Sequence, residues 1–164
     1  MANGVIHDRL TLWTAPVVGF ATWQLTGGGH WPWVVTGSYV FSGLMFSGDL
    51  DIRSRQWRRW GWLRFLWIPY QKLCKHRSFW SHGPLVGTLG RLLYLGLVLG
   101  MVLALAWSWS WWQGKPWPLL SWLKQYGSKY QGEWLAVGIG LELGAWSHSL
   151  ADWLSSRWKK WRAP

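Results

Sequence analysis

Cysteine is nearly absent: Cys74 is the single thiol, which excludes an intrachain disulfide and any zinc site built from two or more thiolates of one chain. Acidic residues are scarce, six against seventeen Lys and Arg, for a net charge of +11. A secretory leader is not expected either, because His7 and Asp8 interrupt the N-terminus and no small-residue cleavage pattern follows a basic start. Charge of either sign is missing from residues 92–112 (LLYLGLVLGMVLALAWSWSWW). At about 1.5 Å per residue that run matches the ~30 Å hydrocarbon core of a bilayer. A buried core helix of this length would be unusual in so small a soluble domain.

The chain is instead rich in tryptophan, with twenty. Trp favours membrane–water interfaces, where the ring is buried and its N–H stays wet. Trp31, Trp33, Trp107, Trp109, Trp111, Trp112 and Trp117 flank one set of hydrophobic span ends, and Trp57, Trp60, Trp62, Trp67, Trp80, Trp153, Trp158 and Trp161 flank the other. The pattern predicts one all-α domain over 1–164, a membrane helical bundle of about four spans at 10–25, 32–47, 84–112 and 134–151. Pro16 breaks the first of these. Gly37, Gly43, Gly87, Gly138, Gly140 and Gly144 let helices approach closely, as membrane interfaces favour.

Basic residues set the orientation. Segment 48–83 carries Arg53, Arg55, Arg58, Arg59, Arg64, Lys72, Lys75 and Arg77, and the tail adds Arg157, Lys159, Lys160 and Arg162. The opposite connections hold only Lys115, Lys124 and Lys129. The positive-inside rule then places both termini and 48–83 in the cytoplasm, in an integral, multi-pass protein. Within that segment, 56–73 mixes Arg and Lys with Trp, Phe and Leu, as an interfacial segment on anionic lipid does. Nucleic acid would suit the same composition, but these residues are needed to flank two spans, so lipid and a protein partner are expected and nucleic acid is not.

With this topology the metal-ligating residue types gather at one face: His7 and Asp8, Asp49 and Asp51, His76 and His82, His148 and Asp152. Only His30 falls in the opposite turn. His148 and Asp152 are four apart and share a helix face, while Asp49 and Asp51 flank Leu50 so that both reach one centre. Imidazole and carboxylate without thiolate suit Zn, Mn or Fe. The set exceeds one tetrahedral shell, so two ions about 3.5–4 Å apart sharing a carboxylate are expected, able to lower the pKa of a water and clamp a phosphoryl group. Arg53 or Arg77 would neutralise substrate phosphate. Each group also has a plain structural role open to it: Asp8 as a helix cap, Asp49 and Asp51 as a solvated turn paired with Arg, single His residues as interfacial side chains. Deeper in the spans, Glu142 and Arg91 suit an ion pair between spans three and four, with Glu142 as proton carrier the alternative.

The blocks HDRLTLW, SGDLDIRSRQWRRWGWLRFLWIPYQK, KHRSFWSHGPL and LELGAWSHSLADW resemble the bacterial, largely cyanobacterial, membrane metal-binding protein family of uncharacterised function. That resemblance covers most of the chain and implies a metal site at His7, Asp8, Asp49, Asp51, His76, His82, His148 and Asp152. His76-Arg77-Ser78-Phe79-Trp80-Ser81-His82 and Ser147-His148-Ser149-Leu150-Ala151-Asp152 are similar, more distantly, to blocks of the inner-membrane metal-dependent hydrolases, and the His-xxx-Asp pair to zinc-dependent phospholipase C. The expectation is a metal-dependent hydrolase of a phosphoester or lipid-like substrate at the cytoplasmic face. His7, Asp49, Asp51, His76, His82, His148 and Asp152 hold one or two divalent ions, and Asp8 or Glu142 moves protons. The alternative is non-enzymatic: a structural metal staples the spans while the basic, Trp-rich face docks a protein or anionic lipid.

Overall fold

The structure, a computed structural model, describes residues 4–76, 78–115 and 117–162, with 158–162 described by their backbone alone. Arg77 lies outside these residues, as do the side chains of Trp158, Lys159, Lys160, Trp161 and Arg162. Among the described residues every regular element is helical. Helix α1 (Gly4–Thr26) runs to Gly27, Gly28 and Gly29, whose φ values of 70°, 104° and 73° occupy the left-handed region that favours glycine and reverse the chain into α2 (Trp31–Met45).

Pro16 sits inside α1 without ending it, so the expected break at this position does not occur. An interior proline forfeits one backbone hydrogen bond, at about 3 kcal/mol, but α1 packs along α2 and also touches α8 (Gln131–Arg162). Packing of that extent outweighs a local penalty. Helices α2 and α8 form the most extensive contact in the molecule. A Cβ on Gly144 would stand 2.5 Å from the Tyr39 carbonyl, so only glycine admits this approach. Ser42 Oγ donates to the Leu141 carbonyl at 2.6 Å across the same seam.

Segment 48–83, which contains the expected interfacial stretch 56–73, is largely helical among its described residues. It folds into a 3-10 turn (Gly48–Asp51), α3 (Arg55–Arg59), a 3-10 stretch (Gly61–Leu66), α4 (Trp67–Leu73) and α5 (Phe79–His82). Trp67 and Tyr70 are buried with Phe46, Leu50 and Leu141, and Trp60 packs against them. Gln71 Nε2 donates to the Leu50 carbonyl at 3.0 Å and Trp60 Nε1 to the Met45 carbonyl at 2.8 Å. The aromatic cluster therefore pins the 3-10 turn from beneath. Trp62, Phe65, Ile68 and Leu73 keep exposed faces, so part of the expected apolar surface remains.

Helix α6 (Val86–Trp112) is long and apolar enough to cross a membrane; among the described residues it alone meets both criteria. It falls within the third expected span, 84–112, starting two residues later, while the second, at 15 residues, is about 22 Å long. Helix α7 (Leu119–Lys129), unforeseen in the connection before α8, is amphipathic, with Leu120, Trp122, Leu123 and Tyr126 exposed.

Candidate metal centre

Four separate stretches deliver the ligand-type side chains. Helix α1 carries His7, the 3-10 turn carries Asp49 and Asp51, His76 and His82 precede α6, and α8 carries His148 and Asp152. One group joins Asp49, His82, His148 and Asp152, and a second joins Asp51, His76 and His82, with the ligand atoms of each within 4.8 Å of one another. The residue common to both is His82, where a carboxylate was expected. His7 belongs to neither group, but its ring stacks on His148 at 4.0 Å and its Nε2 lies 3.4 Å from Asp152 Oδ1.

The separations are informative. His148 Nε2 is 3.4 Å from Asp49 Oδ1, His82 Nε2 is 3.6 Å from the same oxygen, and His82 Nδ1 is 3.7 Å from Asp51 Oδ2. Good N–H···O bonds run at about 2.9 Å, whereas two ligands bound at about 2.1 Å around one tetrahedral ion lie roughly 3.4 Å apart. His82 Nε2, His148 Nε2, His76 Nε2 and Asp51 Oδ2 are buried without a hydrogen-bond partner, a costly condition unless something else satisfies them. A cavity of about 20 Å³ adjoins His7, Asp49 and His148, room for a single small particle. The residues present fit a divalent cation.

Electrostatics agree. Burial would raise the Asp49 carboxyl, but the imidazoles of His148 and His82, 3.4 and 3.6 Å from its Oδ1, outweigh it and hold Asp49 well below the usual carboxylate range. It stays an anion, the form that ligates metal. Asp51, almost fully buried, meets His76 Nδ1 at 2.8 Å, the carboxylate–histidine pairing that fixes a ring for coordination through its other nitrogen.

Three positioning residues carried no sequence signal. Ser81, wholly buried, lies 2.9 Å from His82 Nδ1 through its hydroxyl. Gln56 donates to the Gly43 carbonyl at 2.9 Å and stands 3.5 Å from His148 Nδ1. Gly48 underlies the His82 ring: a Cβ there would lie 2.6 to 2.8 Å from three ring atoms. Gly48→Ala is thus expected to tilt His82 and weaken metal binding about 10- to 100-fold, measured by competition with a chelating dye.

Other expected roles move. Asp8 is clamped by Arg59, with Nη1 donating to Oδ1 at 2.8 Å and Nη2 to Oδ2 at 2.6 Å, and Arg55 lies 3.5 Å away. The pair lifts the Arg59 pKa further above its ordinary value, led by the hydrogen bonds to Asp8. Asp8 thereby ties α1 to α3. Asp8→Ala should cost about 1–2 kcal/mol of stability with metal content unchanged, read by thermal unfolding and elemental analysis. The Arg91–Glu142 ion pair does not form. Arg91, 1 % exposed, donates to the Ser81 carbonyl at 2.8 Å and to Thr88 Oγ1 at 3.1 Å, because the backbone of α5 lies nearer than α8. Glu142 Oε1 accepts from the Leu85 N–H at 2.6 Å and from Trp146 Nε1. Leu85 has φ 60°, a strained conformation for a non-glycine residue that this bond helps hold. Arg53 is exposed and outside both ligand groups; among the described residues Arg91 shares with His82 the lining of a cavity of about 380 Å³, together with Ser81 and Glu142. His30, on the opposite turn, faces Glu133 at 3.5 Å.

Comparison with known proteins agrees with this chemistry. Residues 2–162 match the family described as "Uncharacterized metal-binding protein (DUF2227)". A protein of Aquifex aeolicus (strain VF5), named "Uncharacterized protein", is 40% identical over 58 residues, covering 35% of this chain and 40% of its own length. The chain thus spans well under half of that relative. No solved structure matches.

Proposed function

The chain belongs to this uncharacterized metal-binding protein family, and on that premise we propose that it is a multi-pass membrane hydrolase. In this reading it cleaves a phosphoester of a lipid-like substrate at the cytoplasmic face. The observation that carries the reading is the pairing of the His/Asp centre with a cavity large enough for a headgroup, both sharing His82. Asp49, His82, His148 and Asp152 would hold one cation, and Asp51, His76 and His82 a second. Zn, Mn and Fe suit these N and O donors. When bound, such a cation supplies Lewis acidity and charge neutralisation at a phosphoryl oxygen. Arg91 faces the same cavity and would bind and orient the anionic substrate. Glu142, on its wall, would hold or move a proton.

The membrane reading draws on an inverted polarity. His7, Thr11, Ser42, Thr88, Arg91 and His148 are buried, while Trp13, Val17, Leu97, Leu135 and Leu150 are exposed. Ionisable side chains turned inward under an apolar exterior are what a bilayer requires. In that environment α1, α2 and α8 would cross with α6, local thinning accommodating the shorter α2, and the basic segment 48–83 would stay in the cytoplasm.

The test is hydrolysis of a panel of phosphomonoesters and phosphodiesters by protein reloaded with Zn, Mn or Fe. Turnover that needs metal and vanishes in Arg91→Leu with metal retained supports the reading. Stoichiometric metal with no turnover on any ester returns the centre to a structural staple. Reporter fusions at residue 53 and at the C-terminus test the topology, which fails if they fall on opposite sides.

A further inference from the structure

The cavity beside His82 does not stand alone. A second cavity, about 390 Å³, lies between α6 and α8, walled by Leu89, Leu92, Trp134, Leu135, Gly138 and Leu143. The two share Glu142 and Trp146. His82, Ser81 and Arg91 bring polar groups to the first, among apolar neighbours; the second is almost wholly apolar. Glu142 marks the divide, where its Oε1 is already held by Leu85 and Trp146. The buried Arg91 lines the first cavity together with His82 and keeps its Nε without a hydrogen-bond partner.

We propose that the substrate is an anionic amphiphile bound across both cavities, its headgroup beside His82 and Arg91 and its hydrocarbon chain in the groove between α6 and α8. The inference rests on the hydrolase reading above and adds where the headgroup and the chain of such a substrate lie. The groove runs along the candidate span α6, so a chain there stays at hydrocarbon depth. A headgroup drawn into a closed cavity without such a groove would have to pull its chain toward water, weakening binding about fourfold per exposed methylene. A chain laid in the adjoining groove, across the shared wall of Glu142 and Trp146, avoids that cost. The charge is chosen by the cations the centre would hold and by Arg91, against the single carboxylate of Glu142.

The experiment uses the full-length, metal-loaded protein in lipid nanodiscs with a dodecyl phosphate bearing a diazirine near its chain end, and cross-links are mapped by mass spectrometry. A dodecyl trimethylammonium probe with the same diazirine is the control. Gly138 has open space where a Cβ would go, so Gly138→Trp directs a bulky ring into the groove without a clash at its Cβ, and Leu92→Trp is a second filler from the facing helix. The expected result is labelling concentrated on Leu92, Leu135 and Leu143, at least tenfold above the cationic control and reduced at least tenfold by either filler. Metal content should equal wild type in both variants, which also shows that they fold. Labelling spread evenly over the apolar faces of α1, α2 and α6, and indifferent to the fillers, would overturn the proposal, as would equal labelling by the cationic probe. Groove labelling that persists in protein found to hold no metal supports the amphiphile site and removes the hydrolase reading instead.

Discussion

Replacing His82 by alanine is expected to empty the centre of metal, whereas replacing His76 or His148 removes one of two bound ions. His82 is the one residue shared by the two ligand groups, its Nε2 facing Asp49 at 3.6 Å and its Nδ1 facing Asp51 at 3.7 Å. Without it, the first group keeps Asp49, His148 and Asp152 and the second keeps only Asp51 and His76. Loss of a residue that merely orients a ligand costs about 10- to 100-fold in affinity, so loss of a shared imidazole should exceed that range at both positions. The variants also count the ions. With two bound, His148→Ala and His76→Ala should each retain one; with one bound, His76→Ala should keep it and His148→Ala lose it. Metal-to-protein ratios from elemental mass spectrometry distinguish these outcomes.

Chelation should lower the melting temperature by roughly 8–16 °C. A ligand at about a thousand times its Kd stabilises the folded state by about 4 kcal/mol, and a domain of this size shifts by about 2–4 °C per kcal/mol. Structure supports a shift at the upper end. Asp49, Asp51 and Asp152 meet among imidazoles, and Asp49 is held ionised. Stripped of cations, these carboxylates repel at short range in a partly buried setting, where charge is weakly screened. The cluster also joins α1, the 3-10 turn, α5 and α8, elements distant in sequence, so its loosening frees several at once. Thermal unfolding in detergent, with and without chelator followed by metal restoration, measures the effect and its reversal.

Much of the architecture was legible because apolar run length and Lys/Arg asymmetry are strong signals. They placed α1, α2, α6 and α8 and led to the expectation that His7, Asp49, Asp51, His76, His82, His148 and Asp152 gather at one face; the structure brings six of them into two linked groups, with His7 stacked on His148. What escaped was decided by contacts that no local pattern encodes. Pro16 yields to packing against α2 and α8. Trp67 and Tyr70, indistinguishable in sequence from interfacial aromatics, are buried by Phe46 and Leu50. Asp8 looks like a site residue beside His7 and does line the small cavity with it, yet both its carboxylate oxygens are engaged by Arg59. Arg91 and Glu142 sit at similar depth on different helices, but the Ser81 carbonyl and the Leu85 N–H are nearer partners. Gly48, Gln56 and Ser81 act through backbone proximity and hydrogen bonds to His82 and His148, which spacing along the chain does not reveal.

The central claim is that imidazole and carboxylate groups of this cluster bind metal, and X-ray absorption at the metal edge tests it most directly. For metal-loaded wild type, N and O scatterers at about 2.0–2.2 Å with the outer-shell signature of imidazole are predicted, lost in His82→Ala. No retained metal after reconstitution, or a sulfur shell near 2.3 Å pointing to Cys74, would contradict the account.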